Sequence, residues 1–230
     1  MSVFSDYRLA RASGAAVALF VFAGGGWAGF PKPITAPRYG RSFSLFDWYR
    51  VQLAHDGMAP TLLSGDRVLV HGRAPMTGDI ALCVHPNGEE YVLARVLAAG
   101  RHSVWTDGRG LQVQNETSRV QRSYPTTVLR ELTYHDRPAR LATVDRPYGA
   151  LDAVSDTIRV LDVPDGLAIE RVHVPPNHVY LLGDNRTTPE YDSRSFGAVP
   201  IDGCVGTVEY RYAAADDDTG NFAHERGGVR

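Results

Sequence analysis

The feature that most constrains the fold is a series of short apolar or alternating runs separated by turn-forming residues. These runs lie at residues 49–54, 67–71, 80–84, 91–97, 157–163, 178–182 and 203–212. Each is rich in Val, Leu, Ile or Tyr, and most are bounded by Gly, Pro, Asp or Asn. This pattern predicts a mainly β domain built from short strands. The less regular part, about 101–171, is predicted to be an inserted β-rich subdomain.

Length and composition narrow the class of protein. The chain has 230 residues, 43% of them hydrophobic, which is enough for one principal domain with appendages. A formal net charge of -2 and the absence of basic runs argue against nucleic-acid binding. No metal-ligand or redox spacing is present, so we expect no metal and no cofactor. Cys83 and Cys204 lie in strand-like runs, where buried free thiols are expected; a disulfide would require neighbouring strands and an oxidising compartment.

The two ends of the chain differ from the β-rich part. Residues 1–13 form a polar tail, and residues 14–30 are apolar and uncharged. We interpret 14–30 as a short membrane anchor, since a signal peptide would have a better cleavage region and a core helix would be weakened by three consecutive glycines. Residues 31–48 are predicted to be a connector to the domain at 49–212. Residues 213–230 are predicted to be a disordered tail.

Four motifs follow one another along the β-rich part. Residues 57–62 read Gly-Met-Ala-Pro-Thr-Leu, and residues 78–83 read Gly-Asp-Ile-Ala-Leu-Cys. Residues 91–97 read Tyr-Val-Leu-Ala-Arg-Val-Leu. The fourth motif begins Val-Pro-Pro-Asn at 174, continues to Gly-Asp-Asn-Arg at 183–186 and ends with Asp-Ser-Arg-Ser-Phe-Gly-Ala-Val-Pro at 192–200. In order and spacing they resemble the conserved boxes of bacterial type I signal peptidases, in the Ser/Lys protease superfamily that includes LexA-type repressors. The resemblance implies a signal-peptidase-type core β domain with the inserted subdomain and an N-terminal membrane segment.

The resemblance also indicates that the catalytic dyad is missing. Gly57 stands where the family has its nucleophilic Ser, and Ala94 stands where it has its Lys base. In active members the Ser hydroxyl attacks the scissile carbonyl while a neutral Lys amine takes the proton. Loss of the nucleophile alone costs on the order of a million-fold in turnover. Lys32 is the only lysine in the chain and lies beside the predicted anchor. We therefore expect no catalytic residue.

Other residues near the dyad positions offer no convincing substitute. His55 and Asp56 precede Gly57 and could be considered an alternative catalytic pair, but a base without a nucleophile is inert. Ser64 is expected to be a turn residue. The family's Lys-orienting Ser, between Arg186 and Asp192, is absent here, and this spacing is longer than usual.

The remaining motif residues receive roles through the resemblance. An extended signal peptide adds to the domain as a β-strand, with small pockets that read Ala-x-Ala. The substrate-binding positions implied are Asp56, Gly57, Met58, Pro60, Tyr91 and Leu93. A charged cluster that holds the strands together is implied at Arg95, Asp192 and Arg194. The full set of structural motif positions is Arg95, Asp184, Asn185, Arg186, Asp192, Ser193 and Arg194.

Three hypotheses about function follow. The first is a non-catalytic protein that binds signal peptides or other extended segments, or aids assembly, at the membrane surface. The second is an active signal peptidase with an unrecognised nucleophile. The third is an engineered, inactivated enzyme whose parent carries the dyad. The resemblance implies a single-pass protein of the bacterial cytoplasmic membrane, with its soluble domain on the extracytoplasmic side.

Overall fold

The computed structural model describes residues 48–145 and 157–214. The predicted N-terminal tail, the anchor and nearly all of the connector lie outside these ranges, as does almost all of the predicted C-terminal tail. None of the helices within the described ranges is long and apolar enough to cross a bilayer.

Strands dominate the described residues. They are β1 (Trp48–Gln52), β2 (Arg67–His71), β3 (Ile80–Val84), β4 (Tyr91–Ala99), β5 (His102–Asp107), β6 (Gly110–Asn115), β7 (Gln121–Tyr124), β8 (Thr127–Tyr134), β9 (Arg137–Asp145), β10 (Thr157–Asp162), β11 (Val172–Val174), β12 (His178–Leu182), β13 (Val199–Pro200) and β14 (Cys204–Ala213). A short helix, α1 (Ser193–Phe196), and two 3-10 turns, Pro189–Tyr191 and Ile201–Gly203, complete the described elements. The prediction of a mainly β domain is confirmed.

The strands form three antiparallel sheets. The largest has seven strands in the order β1-β2-β14-β3-β4-β12-β13. The other two have the orders β10-β9-β8 and β11-β5-β6-β7. Strands β5 to β10 all fall within the region predicted to be an insertion, and none of them pairs with the seven-stranded sheet within the described residues. Residues of β8, β9 and β10 nevertheless pack against the loop that follows Gly57, in an apolar cluster with Ala59 and Leu63.

Strand β4 is the central element of the site because it is buried on both faces. Val92, Leu93, Ala94 and Val96 belong to one apolar cluster, together with residues of β2, β3 and β12. Leu97 and Ala98 belong to a second cluster, with residues of β5, β6 and β12. A strand covered on both sides reads as a continuous apolar run, as residues 91–97 do. Any polar side chain that β4 carries must therefore find its partners inside the protein.

The expectation of free thiols is wrong. Cys83 on β3 and Cys204 on β14 are direct register partners and form a disulfide. The two cysteines are 121 positions apart in the sequence, so the local pattern could not show that their strands are neighbours. The disulfide joins the last strand of the domain to the core of the large sheet.

Candidate functional site

Gly57 lies in the loop between β1 and β2, and its carbonyl accepts a hydrogen bond from a residue that is distant in the sequence. The backbone N–H of Asn185 donates to the Gly57 oxygen at 3.1 Å, and Asn185 Nδ2 donates to the Asp56 oxygen at 3.0 Å. A Cβ atom on Gly183 would stand only 2.5 Å from the Gly57 oxygen. Only glycine at 183 permits this approach. The motif at 183–186 thus holds the loop that carries Gly57.

The N–H of Gly57 is engaged by a side chain. It donates to His55 Nδ1 at 3.1 Å, and the His55 ring stacks on Tyr191 with a centroid separation of 3.9 Å and an interplanar angle of 5°. A Cβ atom on Gly57 would lie 3.0 Å from both His55 Nδ1 and Tyr191 Cβ. Burial lowers the pKa of His55, against the opposing influence of nearby carboxylates. The space beside Gly57 is therefore closed by two rings.

Ala94 occupies the middle of the buried strand β4. Its register partner on β3 is Ala81, and the Ala94 side chain is fully buried in the apolar cluster that also contains Met58 and Leu53. The next residue, Arg95, is the nearest cationic side chain along the strand. All three of its nitrogens donate hydrogen bonds to other groups. The structure thus provides no amine at the position of the base.

Arg95 and Asp184 form a buried ion pair. Arg95 Nε donates to Asp184 Oδ1 at 2.9 Å, and Nη2 donates to Oδ2 at 2.6 Å. Arg95 Nη1 donates to the carbonyl of Gly78, and the Thr61 hydroxyl donates to Asp184 Oδ2 at 2.5 Å. Each carboxylate oxygen is satisfied, as a buried charge requires. The pair ties the loop after Gly57 to β4 and to the end of β12.

A second pair lies beside the first. Arg194 Nη2 donates to Asp192 Oδ2 at 2.7 Å, and Nη1 donates to the carbonyl of Arg186 at 2.7 Å. Asp192 also accepts the N–H of Gly183 at 3.0 Å. The Ser193 hydroxyl accepts the N–H of Leu181 at 2.9 Å. Within the cluster that the resemblance implies at Arg95, Asp192 and Arg194, Arg194 pairs with Asp192, and Arg95 pairs with Asp184.

Arg186 is buried beside these pairs. Burial lowers its pKa to about 10, and its Nη1 has no hydrogen-bond partner. Its guanidinium lines a small cavity together with Arg95, Tyr124 and Asp145. The carboxylates of Asp184, Asp192 and Asp162 oppose the effect of burial by raising the pKa of Arg186. The charged region thus contains three arginines, at 95, 186 and 194, and three aspartates. The cluster is close to neutral overall, which allows it to remain inside the protein.

Comparison with known proteins identifies the family. The family model described as "Signal peptidase, peptidase S26" matches residues 41–213. The chain belongs to the signal peptidase family. Signal peptidase IB of Staphylococcus aureus is 26% identical over 174 residues, which is 74% of this chain and 80% of that protein. Signal peptidase I of Bacillus caldolyticus is 48% identical over 42 residues, which is 18% of this chain and 22% of that protein.

In this signal peptidase homologue, hydrogen bonds within the described part of the chain hold Asp56 and Ser64, which lie close to Gly57 in the sequence. The Asp56 carboxylate accepts the N–H of Ser64 at 2.6 Å and forms a hydrogen bond with His135 Nε2 at 2.9 Å. Ser64 lies in the turn before β2, as predicted. Within the described ranges, no group of three or more His, Cys, Asp and Glu side chains is placed to hold a metal ion.

The predicted substrate-binding residues fall into two groups. Met58 is fully buried and Leu93 nearly so, which leaves mainly their backbones to face a ligand. Asp56, Pro60 and Tyr91 retain accessible surface, and Tyr91 is 39% exposed. Strand β12 pairs with the C-terminal half of β4, from Arg95 to Ala99, and does not extend to residues 91–94. Among the described strands, none pairs with that edge of residues 91–94.

Two contributors to the site were not foreseen from the sequence. His135 reaches Asp56 because the β8–β9 hairpin turns at His135 and Asp136, both with positive φ. Tyr191 covers Gly57 from the 3-10 turn Pro189–Tyr191. The unusually long spacing between Arg186 and Asp192 was the one available signal that this segment differs from the family pattern.

Proposed function

We propose that this chain is a non-catalytic signal peptidase homologue that binds extended, signal-peptide-like segments at a membrane surface. The observation that carries the proposal is the combination of a side-chain-free Gly57 with a fully buried Ala94 in an intact scaffold. Neither residue has an atom that could attack a carbonyl or accept its proton. The same loop and strand remain held by the Arg95–Asp184 pair.

The edge of β4 at residues 92–94, with which none of the described strands pairs, supports the binding role. An extended segment can add to such an edge through main-chain hydrogen bonds, and this mode of binding needs no nucleophile. Residues 92–94 present this edge next to the segment 189–191, which contacts β4. The partly exposed Tyr91 ring provides apolar surface beside the edge. A peptide with small residues, such as Ala-x-Ala, is the ligand class that the family resemblance favours.

The disulfide supports a location outside the cytoplasm. Disulfides persist in oxidising compartments and are rare in the reducing cytosol. The Cys83–Cys204 bond links two strands of the same sheet as the proposed binding edge. We therefore place the domain on the extracytoplasmic side of the bacterial cytoplasmic membrane, tethered through the predicted single-pass anchor at 14–30.

Two measurements on the full chain test this function. The first is incubation with a preprotein that carries an Ala-x-Ala site, where we expect no cleavage. The second is fluorescence anisotropy with a labelled Ala-x-Ala peptide, compared with a peptide that carries Trp in place of each Ala. We expect binding of the first peptide only. Tyr91→Ala should weaken that binding about tenfold, as loss of an aromatic contact does.

The control variant is Met76→Ala, which truncates another exposed apolar side chain in the loop before β3. It should leave peptide binding unchanged. Specific cleavage of the preprotein by the natural chain would refute the non-catalytic role. Equal binding of both peptides, or no binding of either, would refute the binding role.

A further inference from the structure

The N–H of Gly57 is a donor that an incoming peptide would have to compete for. It lies on the loop beside the proposed binding edge and already donates to His55 Nδ1 at 3.1 Å. A backbone N–H is a single donor. A ligand carbonyl that approaches this amide must therefore replace the imidazole.

The imidazole is held less firmly than the loop beneath it. Asp56 is fixed through its main chain by Asn185 and through its carboxylate by Ser64 and His135. For the His55 ring, the hydrogen bond and ring contact found are those to Gly57 and Tyr191. One neutral hydrogen bond and one aromatic stack together shift an equilibrium by roughly ten- to a hundredfold. The ring can thus leave while the loop stays in place.

The protonation state of His55 controls one of these two contacts. Nδ1 can accept the Gly57 N–H only while it carries no proton. The charged groups that face the ring are the carboxylates of Asp56, Glu190 and Glu90, and the ring of Tyr191 lies against it. Burial keeps the ring neutral near pH 7, since it outweighs the effect of the three carboxylates. Protonation removes the acceptor and gives the ring a charge that is disfavoured where the ring is buried against Tyr191.

We propose that His55 and Tyr191 form a cover over the Gly57 amide, which closes the peptide groove at neutral pH and opens when His55 is protonated or when a peptide displaces it. The peptide part of this inference rests on the proposed function. The cover itself is a property of the free protein and can be measured without a ligand.

The first test is peptide affinity. The labelled Ala-x-Ala peptide is titrated into the full chain and into His55→Ala, at about pH 7.5 and about pH 5.5. At the higher pH, His55→Ala should bind roughly ten- to a hundredfold more tightly than the natural chain. The affinity of the natural chain should rise toward the lower pH, and that of His55→Ala should not. His178→Ala, at a partly exposed histidine whose ring Nδ1 contacts the Pro176 carbonyl, is the control and should behave like the natural chain.

The second test needs no peptide. Hydrogen exchange at the Gly57 amide, measured by NMR as a protection factor, should fall in His55→Ala and, in the natural chain, at the lower pH. Tyr191→Ala should reduce protection at both pH values. Unchanged protection in His55→Ala would overturn the cover, whatever the peptide data show. Reduced protection without peptide binding by any form would keep the cover and refute the proposed binding function instead.

Discussion

The buried pair Arg95–Asp184 gives the most decisive prediction about the scaffold. Replacing Arg95 by Met removes the cation but keeps a long apolar side chain in β4. It deletes the two hydrogen bonds to Asp184 and the one to the Gly78 carbonyl. Asp184, fully buried, would keep only the Thr61 hydroxyl among the partners of its carboxylate. A charge left in this state is far more costly than the loss of the pair as a whole.

The expected size of the effect follows from burial. The Arg95 and Asp184 side chains are 4% and 0% exposed, so breaking the pair from one side should cost about 3–5 kcal/mol of unfolding free energy. Domains of this size are stable by roughly 5–15 kcal/mol in total. At about 2–4 °C per kcal/mol, Tm should fall by about 6–20 °C. Asp184→Asn combined with Arg95→Met should be less unstable than Arg95→Met alone, because the uncompensated charge is gone.

Urea unfolding of the full chain, followed by circular dichroism, measures these differences. The matched control is Arg109→Met, which breaks the Arg109–Asp107 pair at a side chain that is 74% exposed. Pairs of that kind contribute about 0–1 kcal/mol. The reasoning would be refuted if Arg95→Met cost no more than Arg109→Met. It would also fail if the double variant were less stable than Arg95→Met.

Three further predictions concern stability. Gly183→Ala should destabilise by about 1–3 kcal/mol, because its Cβ meets a carbonyl at 2.5 Å; Gly203→Ala, with open space around it, should be near neutral in the same urea titration. Reduction of the Cys83–Cys204 bond, which spans 121 positions, should cost about 2–5 kcal/mol, and equal unfolding midpoints with and without reductant would contradict this. The lowered pKa of His55 means that the folded state favours the neutral ring. The stability of the natural chain relative to His55→Ala should therefore be full above pH 6.5 and decline as pH falls below it, as thermal unfolding across pH can show.

Local sequence patterns predicted the strands but not how they pair. The runs at 67–71, 80–84 and 178–182 coincide with β2, β3 and β12, because alternation and turn residues are local properties of a strand. Pairing depends on contacts between distant segments. The placement of β14 between β2 and β3 brings Cys204 opposite Cys83, and nothing in either run indicates this. The error about the cysteines has this cause.

At the site too, the sequence predicted which residues take part but not which of them are in contact. Motif positions singled out Gly57 and Ala94, and the resemblance implied a charged cluster of Arg95, Asp192 and Arg194, with Asp184 as a further structural motif position. Which acid faces which arginine depends on the register between β4 and β12, where Leu182 lies opposite Arg95 and brings the residues that follow it into reach. That register includes an irregularity after Tyr180, which no alternation pattern encodes.

The vacated dyad and the cover over Gly57 are physically linked. His55 and Tyr191 can approach this position because residue 57 has no Cβ, since one would stand 3.0 Å from each of them. A Ser at 57 would place its Cβ 3.0 Å from the His55 ring and from Tyr191 Cβ, so both residues would have to shift slightly to admit it. Position 94 on β4 also has little room for a polar group. A Lys amine there would enter an apolar cluster and lose its solvation. On the proposed function, cleavage of an Ala-x-Ala preprotein should therefore require Gly57→Ser and Ala94→Lys together and should increase when residue 55 is also made smaller.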